Sequence, residues 1–299
     1  LRQNVHGFHL SDLHVPLLTA CIIVAAFLRL FLLDYRGLWL DEAEWLRAIS
    51  VPRFADTFKA GNFPHTPFFA VMMWPFRALL FSDTWARLIP ALFGVATVPV
   101  LYSIGARLFN RRVALLAAGL LALCPIHIDY SRQIEPYPIA VFLVTVTVLS
   151  ILRAGAQPSV RRWAAAIALA ALSVYASIFA VIVFAVISLV VFLGDLSQRG
   201  LKRAVIPWTC FWAGIAAVYL PFFIFAFLFR PRVYGLGSTD RFITHFPIDY
   251  GWFDRAQLIC SGIWRDDRIE LTIPLLVCLA ALSLGLLGSF RHFTKGTFI

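Results

Sequence analysis

Charge is scarce in this sequence. Asp, Glu, Lys and Arg make up only 14% of its 299 residues, while 61% are hydrophobic. An ordinary soluble domain carries roughly a quarter charged residues. With a mean hydropathy of +0.82, the chain lacks the polar surface that a water-soluble globule needs. Cysteine pairing is also missing. Cys21, Cys124, Cys210, Cys260 and Cys278 show no CxxC spacing and fall mostly in or beside apolar runs. That excludes a zinc ribbon and a disulfide framework and leaves them as small apolar fillers. There is no glycine-rich phosphate loop and no strand-helix nucleotide unit, which argues against a cytosolic nucleotide-sugar site. The short alternating segments of a membrane barrel are absent too.

What remains are long continuous apolar runs, so the fold class expected is all-α: a polytopic, multi-pass transmembrane helical protein. The net charge of +10 is no nucleic-acid signal, because the basic residues come in small groups between apolar runs, as topology signals do. About 20 apolar residues cross a bilayer as helix. Expected spans are 15–33, 87–106, 113–128, 136–152, 205–229 and 271–290, with the first run showing no convincing signal-peptide cleavage site. The stretch 163–193 is too long for one crossing and short for two. Basic groups flank it on both sides (Arg153, Arg161 and Arg162 before; Arg199, Lys202 and Arg203 after), so its ends belong on one side. It is expected to be two short helices turning near Tyr175-Ala176-Ser177, which makes about eight spans. The run 66–81, interrupted by Pro75 and carrying Arg77, reads as an amphipathic helix at the outer membrane surface. Two outer loops result, 34–86 and 230–270, within one domain covering 1–299.

The acids cluster at the outer membrane edge. "RGLWLDEAEWLR" places Asp41, Glu42 and Glu44 between and beside Trp39 and Trp45. Asp41 as helix N-cap with Glu44 three residues on explains them without function. A carboxylate poised as general base at the membrane surface explains them equally well. His65, between two prolines at the end of the same loop, is either part of a kink or a site residue. The second short outer loop, "PIHIDYSRQIEPYPIA", crowds Asp129, Tyr130, Arg132, Glu135 and Tyr137 between two apolar helices. An Arg132–Glu135 surface ion pair is the structural account of that loop; a polar-lined cavity is the functional one.

Four motifs in this order, "LWLDEAEW", "HTPFF", "RLIPALFGVATVPVLYSIGARLFNRR" and "DYSRQIEPYPIA", resemble glycosyltransferase family 39, whose relatives include protein O-mannosyltransferases and lipid A aminoarabinose transferases. The likeness covers roughly residues 15–205 and implies the GT-C membrane fold. It also implies a polyprenyl-phosphate sugar donor, reaction on the outer (periplasmic) face of a bacterial inner membrane, and inversion at the anomeric carbon. A lipid, glycan or protein supplies the acceptor hydroxyl. By this resemblance Asp41 is the catalytic base, and Glu42, His65, Tyr130, Arg132, Glu135 and Tyr137 are substrate-binding. A divalent metal ion is an expected cofactor candidate, with Glu42 and His65 as its candidate ligands. Family members commonly carry a basic residue where this chain has Glu135. They usually continue through further spans, so this chain is expected to be a short member or a fragment. Membrane lipids are expected partners and nucleic acid is not. A lipid-linked sugar transporter, or flippase, would need ionisable residues at mid-membrane depth; Arg29, near the end of the first span, is expected to snorkel. A non-catalytic membrane assembly subunit is the remaining alternative.

Overall fold

The computed structural model describes residues 13–59, 66–79, 82–199 and 201–233. Among them the chain is helical, with no strand. The helices are α1 (His14–Leu30), α2 (Leu40–Ile49), α3 (Phe68–Met73), α4 (Asp83–Leu108), α5 (Arg111–Leu123), α6 (Pro125–Ser131), α7 (Tyr137–Ala156), α8 (Val160–Ala176), α9 (Ala180–Arg199) and α10 (Leu201–Val233). The chain forms two compact units, residues 1–219 and 220–299. The second is described only by the end of α10. The expected span 271–290, most of the loop 230–270, and His65 lie outside the described residues.

Among the described residues, three helices are long and apolar enough to cross a membrane, at Asp83–Leu108, Tyr137–Ala156 and Val205–Phe222. A fourth crossing results if α5 and α6, bent by 56° at their junction, form one broken span. His14–Leu30 and Ala180–Leu193 are shorter apolar helices. The protein is an integral membrane protein.

Helix ends follow local chemistry. Ser82 caps α4 by accepting from the Trp85 N–H, and Asp83 sits in its first turn. Asn110 caps α5 by accepting from the Arg112 and Val113 N–H groups, both at 3.0 Å. Ser159 does the same for α8 from Arg162. These side chains satisfy backbone donors that a helix start leaves orphaned.

The centre of the bundle is α4, which packs against α1, α5 and α7. Small residues set the spacing, as they do where apolar lipid gives helices no hydrophobic reason to associate. Buried Ala114, Ala118 and Ala122 form one stripe along α5, while Leu116, Leu120 and Leu123 face outward. A Cβ on Gly105 of α4 would stand 2.9 Å from the Ala114 Cα of α5. On Gly94 it would stand 2.8 Å from the Ser131 Cβ of α6.

The expected break near Tyr175-Ala176-Ser177 is where α8 ends and α9 begins. Helices α7 and α8 form a hairpin whose core, with α9 and α10, includes Ile151, Ala166, Ala170, Phe184, Trp208 and Phe211. The returning end of α8 meets the first loop, since the Thr66 hydroxyl donates to the Tyr175 carbonyl. The stretch 66–81 is not one amphipathic helix. It is the six-residue α3 followed by a 3-10 segment at Trp74–Leu79, because Pro75 has no N–H for the α-helical ladder.

Arg29 does not snorkel. It is fully buried. Its guanidinium donates to the carbonyls of Ala25, Leu121 and Ala122 and bonds His127 Nδ1. Pro125 lacks the N–H that would continue the α5 ladder to Leu121, and Arg29 supplies a donor at 2.9 Å.

Candidate active site

The first acid of the opening motif is two residues deeper in its helix than the sequence suggests. Helix α2 starts at Leu40, with Trp39 as N-cap. Asp41 is therefore not the cap, and Glu44 is not the capping partner. Glu42 stands at the third helical position, and its Oε2 accepts from the Trp39 backbone N–H at 3.4 Å. Indole has no acceptor to return the bond, so only half of a capping box is made.

Glu42 has a larger task. Its side chain is buried, and the Arg87 guanidinium of α4 holds it with two parallel bonds, Nε to Oε1 and Nη2 to Oε2, each 2.8 Å. Glu42 Oε1 also accepts from the Ile134 N–H at 3.0 Å. Arg87 spends its other three donors on backbone. Nη1 reaches the Leu33 and Arg36 carbonyls at 2.7 and 2.8 Å, and Nη2 reaches Gly37 at 3.2 Å. All five guanidinium N–H groups are used. A bidentate, fully hydrogen-bonded pair is the arrangement in which buried charges are tolerated. It wraps the segment after α1 around one arginine and ties the loop before α7 to α2.

That loop is tied a second time. The Trp45 indole Nε1 donates to Glu135 Oε2 at 3.1 Å. Trp45 packs edge-on against Phe69 of α3, with ring centroids 5.0 Å apart. Both belong to a core with Ile49, Met73, Ala86, Ile134 and Ile139. The acidic start of the loop 34–86 and the short loop within 125–140 thus converge on one end of the bundle. Glu135 is 3% exposed. Burial is the main cause that pushes its carboxyl up to about 8, and the negative charge of Asp41 is the next; the Trp45 hydrogen bond works the other way. At neutral pH Glu135 is mostly protonated, so it adds little negative charge to this end of the bundle.

Asp41 is exposed and has no hydrogen bond or ion pair among the described residues. Tyr130 and Tyr137 meet edge to face at 5.2 Å beside it and Glu135. Arg132 makes no pair with Glu135. It donates to the Leu28 and Leu32 carbonyls at 2.9 and 2.6 Å and lies 5.0 Å over the Tyr35 ring. Leu32 has φ 52°, a left-handed conformation that costs a bulky side chain about 1–2 kcal/mol, and the Arg132 bond holds that turn. Arg36 pairs with Asp129 at 2.8 Å in an exposed bridge, and Gln133 donates to the other Asp129 oxygen.

Glu42 does not fit the metal-ligand role expected of it. Its two oxygens already accept four protein N–H groups, and a cation there would face the Arg87 guanidinium. Among the described residues no three His, Cys, Asp or Glu side chains gather as a metal site. The same occupied oxygens argue against direct contact of Glu42 with substrate. Arg87 and Trp45 hold Glu42 and Glu135 in place, and the sequence pattern assigned neither of them to this site. The available signal for Arg87 was an arginine one turn into an apolar span, which needs a partner.

The family profile described as dolichyl-phosphate-mannose-protein mannosyltransferase matches residues 64–225, more than half of the chain. No curated protein matches the chain.

Proposed function

The chain belongs to the dolichyl-phosphate-mannose-protein mannosyltransferase family, making it a membrane glycosyltransferase of GT-C type, and we propose that it moves a sugar from a polyprenyl-phosphate donor to an acceptor hydroxyl with inversion. Asp41 accepts the proton of the acceptor hydroxyl. The freed oxygen attacks the anomeric carbon from the face opposite the phosphate. The bond between that carbon and the phosphate oxygen breaks, and polyprenyl phosphate leaves with the electron pair. The observation that carries the reading is the contrast between neighbouring acids. Glu42 is consumed by Arg87, Glu135 is buried and holds its proton, and Asp41 alone of the three is exposed and unpaired.

Arg132 and Arg36, on the segments that meet near Asp41, are the cations proposed to face the donor phosphate. Arg132 spends two of its five N–H donors on the end of α1, leaving three directions for an oxyanion. Tyr130 and Tyr137 form the aromatic wall on which a sugar face can rest. His65 keeps its place in the proposal by resemblance alone. No step is derived through a metal. The outer face of a bacterial inner membrane is the proposed location, because a lipid phosphate lies at the depth of these helix ends. The polar groups around Asp41 support transfer over transport: Glu42, Arg87 and Glu135 gather at one end of the bundle, while Arg29 lies deeper, against Gly94 near the middle of α4, and is bonded to His127 and to backbone carbonyls.

The test is transfer of radiolabelled sugar from polyprenyl phosphate by the purified chain to a membrane or cell-envelope acceptor fraction. Asp41→Asn should lower turnover about 10²–10⁴-fold, the usual worth of a general base, with donor binding kept. Normal turnover in Asp41→Asn ends the base assignment, and no transfer from any polyprenyl-phosphate sugar ends the donor assignment.

A further inference from the structure

At the end of the bundle away from Asp41, three arginines from three helices line one cavity of about 300 Å³, with Ala156 and Gln157 completing it. Arg107 is in the last turn of α4, Arg153 in the last turn of α7, and Arg162 in the first turn of α8. None of the lining residues is acidic, and none of the three arginines is in an ion pair among the described residues. Arg162 is steered by its own hydrogen bond, Nη1 to the Gln157 carbonyl at 2.7 Å.

This arrangement runs against local electrostatics. Three guanidinium groups around one space repel each other. Arg161 and Arg162 stand in the first turn of α8, where the helix dipole favours acids and where no acid is present. Membrane topology asks for positive charge on this face but not for a cavity built from it. The helices α4 and α7 are spans that end here, which places the cavity at headgroup depth. Exposed apolar side chains follow and precede its arginines in the chain: Phe109, two residues after Arg107, is 43% exposed, and Val160, two before Arg162, is 87% exposed.

We propose that this cavity binds the phosphodiester of an anionic phospholipid headgroup. The guanidinium forks take the phosphate oxygens, and Gln157 takes a headgroup hydroxyl. The exposed Phe109 and Val160 lie against the acyl chains, which is why a lipid and not free phosphate is the occupant. The site is separate from the sugar-transfer reading and does not depend on it.

The probe is phosphatidylglycerol, present as a minor component of phosphatidylcholine nanodiscs holding the full chain. Lipid retained through gentle delipidation is counted by native mass spectrometry. The wild-type chain should retain phosphatidylglycerol over phosphatidylcholine. Replacing Arg107, Arg153 and Arg162 with Gln should cut that preference about tenfold or more, since each basic residue near the surface contributes separately. Replacing Arg111 and Arg112 with Gln removes charge from the same face outside the cavity and should leave the preference in place. Equal loss in the two variants means general surface charge and overturns the site, as does full retention in the cavity variant. Displacement of the lipid by millimolar inorganic phosphate makes it a free-anion site and overturns the lipid assignment. If the triple variant does not fold, Arg153→Gln against Arg153→Lys decides on the same readout, with loss expected only in the first.

Discussion

The indole of Trp45 donates to the carboxyl of Glu135 across 90 residues of sequence, at 3.1 Å. This bond joins α2 to the turn before α7 and holds the buried Glu135 carboxyl near Asp41. Asp41 contributes its charge to the upward shift of Glu135, so the two acids are linked without touching.

A pH dependence follows from the sign of that shift. The Glu135 carboxyl rises from 4.5 unfolded to about 8 folded. Between those values the folded chain holds a proton that the unfolded chain releases, so stability falls as pH rises through the window. The slope is at most about 1.4 kcal/mol per pH unit. Glu135→Gln keeps an acceptor for Trp45 and cannot ionise. Its Tm should match the wild type near pH 5 and exceed it near pH 9. Asp41→Asn should move the wild-type midpoint downward. Parallel melting curves of Glu135→Gln and the wild type across this range would remove the assignment.

The Arg87–Glu42 pair separates stability from activity. Arg87→Met leaves Glu42 charged, buried and unpaired, at a cost of about 3–5 kcal/mol. Adding Glu42→Leu to Arg87→Met should recover much of the lost Tm, because a hydrophobic pair can substitute for a buried ion pair. Transfer should remain low in the double variant, since the Leu33, Arg36 and Gly37 carbonyls and the Ile134 N–H lose their partners. Recovery of both Tm and turnover would show that the pair does not position the site.

Two glycines should respond oppositely to the same change. A methyl on Gly105 meets the Ala114 backbone at 2.9 Å, and backbone cannot turn aside as a side chain does. Gly105→Ala should destabilise by about 1–3 kcal/mol. Gly155 in α7 has nothing within 4 Å of an added Cβ, so Gly155→Ala should stabilise by about 0.5–1 kcal/mol. Thermal melts in one detergent compare them, and a destabilised Gly155→Ala contradicts the described packing of α7.

Orientation is checked by single cysteines on a cysteine-free background. Cysteines at Glu44 and Phe179 should react with an impermeant thiol reagent from one side of the membrane. Those at Phe109 and Gln157 should react from the other. Labelling of Phe179 and Gln157 from the same side would mean that α8 does not run from one end of the bundle to the other.

Much of the architecture was legible because charge and hydropathy are local. The basic groups around 163–193 required its two ends to share a side, and the helix break is found where that demand put it. Partners were not legible, because they come from elsewhere in the chain. Arg29 looked free to reach the surface; nothing near it in sequence shows that the Leu121 and Ala122 carbonyls, at the end of α5 before Pro125, take its guanidinium. Asp41 and Glu42 are adjacent acids of one type, and α2 begins two residues earlier than a cap at Asp41 would place it, which moves Glu42 to the third helical position. Only the position of Arg87, 45 residues later, tells them apart.

The Arg87 clamp also has a history in time. A membrane chain is inserted from its N-terminus, so Glu42 emerges well before α4 brings Arg87 and longer still before Ile134, 92 residues on, brings its N–H. Until then the segment after α1 has no internal partner for its carbonyls and stays bound to water. The first acidic motif can close only when the second loop has arrived beside it. Asp41 thus reaches its final setting late, after α4, which carries Arg87, and α5 have already been made.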